Sequence, residues 1–245
     1  MPGPVEDAGQ PTAERIFCLL RRGEFTIEDT WHVAGMRGTG TKDVRADELF
    51  VPAHRTVSFK AFNSTSPPGA ALHRAPLYRF ARGPASLGGN ILWPMLGAAE
   101  GALADYVAAT RVRVGALFGD KPAEQSPVQL RLSESAAEIK AARLLLEAEN
   151  RIVAGRIRDG SAFTDDENVE LPRDRAFAAK LCVQAVERLV LQMGATTIYD
   201  PSPVRRHFRD LNAMATQIGV NWDLTMPPYA RRALGLPVAA ALGGH

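Results

Sequence analysis

The stretch LQMGATTIYDPSPVRRHFRDL (Leu191–Leu211) decides how the chain is read. It opens at the end of a helical pattern, because Ala178, Cys182, Val186, Leu189 and Met193 recur at spacings of three and four. The pattern breaks at Gly194 and resumes after DPSP, where a proline just inside a helix start removes a donor that has no partner there. Working outward, Val128, Leu132, Ala136, Ile139, Ala142, Leu146 and Val153 mark another helix, from Pro127 to Arg156. At 1.5 Å per residue it would be about 45 Å long, which suits a bundle. An alanine-rich helix from Gly89 to about Phe118 precedes it, separated by GDKPAEQSP. The run RDGSAFTDDENVELP reads as a loop, and a short helix is expected after Pro228.

The chain changes character before Gly89. AERIFCLL (Ala13–Leu20) reads as a buried strand. Further strand is expected in EFTIEDTWHVAG (Glu24–Gly35), and a last one in VRADELFVP (Val44–Pro52), stopped by proline. Strands first and helices later predict a segregated α+β chain that is mostly α. The expected layout is a loose N-terminus (1–12), a partial β-domain (13–60), a connecting loop (61–88), an antiparallel four-helix bundle (89–236) and a tail (237–245).

Bulk properties narrow the function. The 245 residues hold 29 basic and 27 acidic side chains, so no concentrated basic face points to nucleic acid. The two cysteines, Cys18 and Cys182, have no metal-ligand spacing, so no metal is expected. No run approaches the roughly 18 apolar residues of a membrane span. The first residues show no basic stretch followed by an apolar run, so a cytoplasmic location is expected.

A second segment, DTWHVAGMRGTGTKDVRADELFVPAHR (Asp29–Arg55), completes the pattern. With Leu191–Leu211 it resembles the acyl-CoA dehydrogenase superfamily, closer to its flavin-dependent monooxygenase branch, the two-component aromatic hydroxylases. In that family a GMRGTGS-D stretch followed by V-VP lies in the central β-domain; here Thr41 stands for serine, while Asp43, Val51 and Pro52 are kept. The same glycines could serve a tight turn alone. TRVRVGALFGDKPAEQSPVQ is similar to the family region that reaches flavin phosphate, which implies Arg113 (Arg111 as second choice), Phe118 and Gln129 as cofactor-binding residues. The family's Q-GG-G turn implies the same for Gln192, Met193, Gly194 and Ala195. Arg209 and Asp210 match the family's RD pair, equally readable as a structural pair or a cap.

The resemblance implies reduced FMN or FAD from a separate flavin reductase, oxygen, and hydroxylation of an aromatic or polycyclic substrate. It implies a homo-oligomer, a tetramer built through the bundle. The alternative, an acyl-CoA dehydrogenase, needs a carboxylate to remove a proton alpha to a thioester. The relevant stretch, IGVNWDLTMPPY, has only Asp223. Where hydroxylases often carry a histidine, this chain has Gln217, and His207 reads as an exposed helix residue; no catalytic residue is assigned. The likeness runs from about Ala13 to Leu236 and covers only the later part of the family fold. The expectation is therefore a truncated enzyme, a chain completed by a partner that supplies the N-terminal half, or a non-catalytic subunit that assembles through its bundle.

Overall fold

The computed structural model describes residues 5–7, 10–12, 15–64, 67–79, 89–115, 119–199 and 202–238. They fall into two compact units. The first takes Met1–His32, Arg37–Gly83 and Ala154–Phe163; the second takes Val33–Met36, Pro84–Val153 and Thr164–His245.

The first unit is built from short antiparallel ribbons. β1 (Val5–Asp7) pairs with β2 (Gln10–Thr12), so the region read as loose contains a hairpin. β3 (Ile16–Cys18) pairs with β6 (Thr56–Ser58), and β4 (Thr26–Glu28) with β5 (Asp43–Arg45). The strands are shorter than the apolar runs predicted. β3 is not buried: Phe17 is 44% exposed and Leu19, just beyond it, 73%. The reason is local. Each described sheet has two strands, and a two-stranded ribbon has little surface to bury a face against. What order exists comes from contacts at the ribbon ends. Phe17 stacks on Phe59 and packs against Phe62 of the four-residue helix α1 (Phe59–Phe62). Arg55 bonds Glu24 at 2.7 Å. That bond, with the Arg21 amide, holds the Glu24 carboxyl below its usual range.

The second unit is an antiparallel four-helix bundle. Its helices are α2 (Gly89–Val112), α3 (Ser126–Asp159), α4 (Glu167–Met193) and α5 (Pro203–Ala215). Contacts give the directions. Ser135 donates to the Ala185 carbonyl, Arg188 meets Glu138 and Arg175 meets Glu149, so α3 rises as α4 falls. Gly89 lies against Arg175 and Tyr106 against Gln192, so α2 and α4 run the same way. The inward stripe of α2 is Leu92, Met95, Leu96, Ala99, Ala102 and Tyr106, and it meets Ile139, Ala142 and Leu146 of α3 and Cys182, Val186 and Leu189 of α4. Small residues in these stripes let the helices approach closely.

Two helices begin earlier than their sequence reading. The loop expected through Pro172 ends at Glu167. A capping box starts the helix there: the Glu167 amide donates to Thr164 Oγ1, and the Thr164 amide donates to Glu167 Oε2. Pro172 sits within α4 and removes a single ladder bond. The last helix, α6, runs Trp222–Ala233, not from Pro228, because Asn221 caps it by accepting from the Leu224 amide. It docks on α4 through Trp222, which lies beside Phe177 and under the Lys180 ammonium, and through Tyr229 under Arg173.

Residues Val33–Met36 belong to the second unit for a specific reason. The Met36 amide donates to Asp210 Oδ1 at 2.6 Å. Met36 holds a left-handed φ of 57°, and its side chain packs on the bundle core. Beside it, a Cβ added to Gly35 would lie 2.1 Å from the Arg209 carbonyl oxygen. The RD pair thus acts as a tertiary clamp. Asp210→Ala is expected to cost about 1–3 kcal/mol by stranding a half-buried amide, and Asp210→Asn, which keeps an acceptor, clearly less. Gly35→Ala should cost at least as much, since the colliding atom is backbone. Urea midpoints of the three variants test this order.

Candidate functional site

At the α4 C-terminal end of the bundle the helices part around a cleft of about 580 Å³. Its walls come from the chain after α2 (Arg113, Gly115, Asp120), the turn before α3 (Pro122, Gln125), the start of α3 (Pro127, Val128, Arg131) and the last turns of α4 (Arg188, Leu191, Gln192). The loop after α2 is tight: the Gly115 amide donates to the Asp120 carbonyl at 2.7 Å and the Gly119 amide to the Gly115 carbonyl at 3.0 Å. A Cβ on Gly115 would meet the Asp120 carboxylate, so a side chain there would displace Asp120 from its present place. Gly119 turns at a φ of 65°. Asp120 in turn accepts from the Gln125 amide.

Three guanidinium groups line this cleft, and they are not equivalent. Arg188 is spent: it bonds Glu138 through both terminal nitrogens, Glu134 through Nε and the Ser135 hydroxyl. Arg131 folds back on its own helix, donating to the Pro127 carbonyl at 3.3 Å. Arg113 is half-buried, in the chain just after α2. Against these stands one lining carboxylate, Asp120. The start of α3 adds the positive end of a 34-residue helix. It adds few donors, because the Val128 and Gln129 amides already bond the Gln125 carbonyl and Pro127 has none. Recognition of an anion here therefore falls to side chains. A guanidinium fork matches phosphate oxygens in geometry and charge, so the set fits the anionic part of a nucleotide cofactor.

The structure brings Arg113 and Gln192 of the proposed cofactor residues into one cleft. Gln129 is exposed on the first turns of α3 and donates to the Ala123 carbonyl, bracing the turn at the cleft's edge. Met193 is buried in the core. Gly194 ends α4 at a φ of 66°, with open space where a Cβ would stand, and Ala195 follows in an exposed turn. Phe118 lies outside the described residues. Sequence reasoning missed Arg131 and Asp120. Arg131 had a legible signal, four residues past a helix-starting proline, whereas Asp120 reaches the cleft through a turn with no pattern.

The acid–base candidates resolve differently. His207 is not the exposed residue expected. Its ring packs where a Gly101 Cβ would be, and Nε2 sits 3.2 Å from Asp105 Oδ2, pairing α5 with α2. Gln217 is used locally, accepting from the Gly219 amide at 2.7 Å. Asp223 is exposed in the first turn of α6. In the glycine loop, Arg37–Thr39 form a short 3-10 turn, and Thr39 and Thr41 share a hydroxyl contact of 3.3 Å. Among the described residues no helix is long and apolar enough to cross a membrane.

Comparison with known proteins fits this bundle. Residues 91–222 match the acyl-CoA dehydrogenase C-terminal domain family. The chain belongs to that family. This acyl-CoA dehydrogenase-type chain is 33% identical to the FADH(2)-dependent resorcinol hydroxylase, oxygenase component, of Rhizobium sp. (strain MTP-10005), over 95% of its own length and 58% of the relative's. It superposes on 3-HSA hydroxylase from Rhodococcus sp. RHA1 with a TM-score of 0.86 at 27% identity, covering 98% of this chain and 62% of that one. The XiaF structure from Streptomyces sp., in complex with FADH2 and glycerol, gives 0.83 at 27% identity, covering 94% and 58%. The chain thus spans about three fifths of the length of these relatives.

The two thiols of this acyl-CoA dehydrogenase-type chain differ sharply. Burial, with a smaller effect from Glu100, pushes the Cys182 thiol up to about 12, while Cys18 is exposed. A thiol reagent at pH 8 should modify Cys18 alone in the native protein and both residues in denaturant, read by peptide mass. Native modification of Cys182 would show that the bundle core opens.

Proposed function

We propose that this chain supplies the helical-bundle part of a reduced-flavin site in a two-component monooxygenase acting on an aromatic or polycyclic substrate. The observation that carries the reading is the cleft that Arg113 and Arg131 both line, neither with a carboxylate partner among the described residues, beside Arg188, which is paired with Glu138 and Glu134. Arg113 and Arg131 would hold the phosphate groups, and Val128, Pro127 and Leu191 offer apolar wall. Two guanidinium groups and this much room suit a diphosphate better than a monophosphate, which favours FAD over FMN. When bound, the reduced flavin supplies the activation of oxygen; the chain binds, orients and shields it. The reading brings with it a flavin reductase as partner, a homotetramer and a cytoplasmic setting. It is supported by the likeness to a FADH(2)-dependent resorcinol hydroxylase and to XiaF, whose structure is a complex with FADH2.

Acyl-CoA dehydrogenation is the weaker reading. Its base would have to be Asp223, a solvent-exposed carboxylate in the first turn of α6, with no glutamate in the same stretch. Anaerobic calorimetry of this chain with FAD and FMN, each oxidised and reduced, tests the proposal. Reduced FAD should bind most tightly, and Arg113→Ala or Arg131→Ala should each weaken it about tenfold or more, with a shallower salt dependence. Absence of binding by every flavin form would sink the reading that this part holds flavin by itself and turn the search to an N-terminal half or a partner chain that supplies it.

A further inference from the structure

The resemblance hands Gln192 to the flavin, yet in this chain both ends of its amide are already engaged. Gln192 Oε1 accepts from the hydroxyl of Tyr106, and Gln192 Nε2 donates to the Pro127 carbonyl at 3.2 Å. The chemistry fixes this orientation: a backbone carbonyl only accepts, so the NH₂ end must face Pro127 and the oxygen must face the phenol. The Pro127 carbonyl then receives a second side chain, Arg131 Nη1, at 3.3 Å. A continuous run of contacts therefore links a buried phenol on α2, an amide on α4 and a guanidinium on α3, ending in the cleft. Tyr106 itself is 1% exposed and cannot touch a ligand.

We infer that Tyr106 is a positioning residue: through Gln192 and the Pro127 carbonyl it sets the place of Arg131 in the cleft. The inference rests on the reading of that cleft as an anion site. A long arginine stem loses considerable rotamer freedom when it is held in one place. Anchoring the carbonyl it folds onto makes its position a property of the bundle core and not of the surface. The neutral phenol suits the task, since it must donate to Gln192. Burial raises the Tyr106 phenol above its ordinary value, opposed by the Thr110 hydroxyl and by the nearby Arg113 and Arg131 charges.

The test is a double-mutant cycle on the whole chain, with inorganic pyrophosphate and FAD as probes and thermal unfolding measured alongside. Tyr106→Phe removes one hydroxyl and leaves the ring in place. It should weaken pyrophosphate binding about tenfold in the wild-type background and less than about twofold in Arg131→Ala, because the residue acts through that guanidinium. Equal weakening in both backgrounds would reveal a general structural defect and overturn the inference, as would no weakening in either. Should Tyr106→Phe fail to fold, Gln192→Met cuts the same run at a half-buried position and must show the same dependence on Arg131. The two failures separate cleanly. A wild-type chain that binds neither probe removes the anion site and the inference with it; one that binds both but ignores Tyr106→Phe removes the inference alone.

Discussion

The Asp210 carboxylate reaches back 174 residues to the amide of Met36. Much of the second unit depends on that reach. It fixes residues Val33–Met36 on the bundle, where Met36 adds to the core and Gly35 lies flush on the α5 backbone. The constraint is steric as well as polar: any larger residue at 35 would push against a carbonyl oxygen of a helix that cannot yield. The RD pair and the glycine of the GMRG stretch are two halves of one contact, which is why the two segments read as belonging together although 174 residues separate Met36 from Asp210.

The bundle treats its two ends differently. At the end where α2 begins, Arg175 is almost fully buried and bonded to Glu149, beside Gly89. Burial pushes the Glu149 carboxyl up, and the guanidinium pulls it back. Such a pair adds little net stability but is costly to break, so it acts as a register pin. At the other end, Arg113 and Arg131 gather around a cleft that only Asp120, among its lining residues, answers with a carboxylate. One end locks the alignment of α3 against α4, and the other presents what that alignment has placed.

Sequence patterns carried the helices and far less of the site. Ala178, Cys182, Val186, Leu189 and Met193 were read as one face, and all five are buried. The strands were over-read because an apolar run such as Ile16–Cys18 predicts burial only when a second layer exists to cover it. Thr164 and Glu167 held a legible start signal inside a stretch dismissed as loop. Arg113 and Gln192 could be singled out by motif, but the motif could not say that the Gln192 amide would be engaged at both ends by Tyr106 and Pro127. That depends on which side chains three helices bring to one point, and periodicity locates faces, not points. The same limit explains His207, whose burial follows from a glycine on another helix.

One detail of the cleft has a kinetic meaning. Because Pro127 is the second residue of α3 and the next two amides are bound to the Gln125 carbonyl, the start of α3 offers an anion charged side chains on long stems and few fixed backbone donors. A cradle of rigid amides holds a phosphate by shape and releases it slowly. A grip made of guanidinium groups draws its ligand in by long-range attraction and lets it go when mobile ions compete. Under the proposed reading, the cofactor at this end of the bundle would behave as a travelling reagent that exchanges with solution, and not as a permanent fixture.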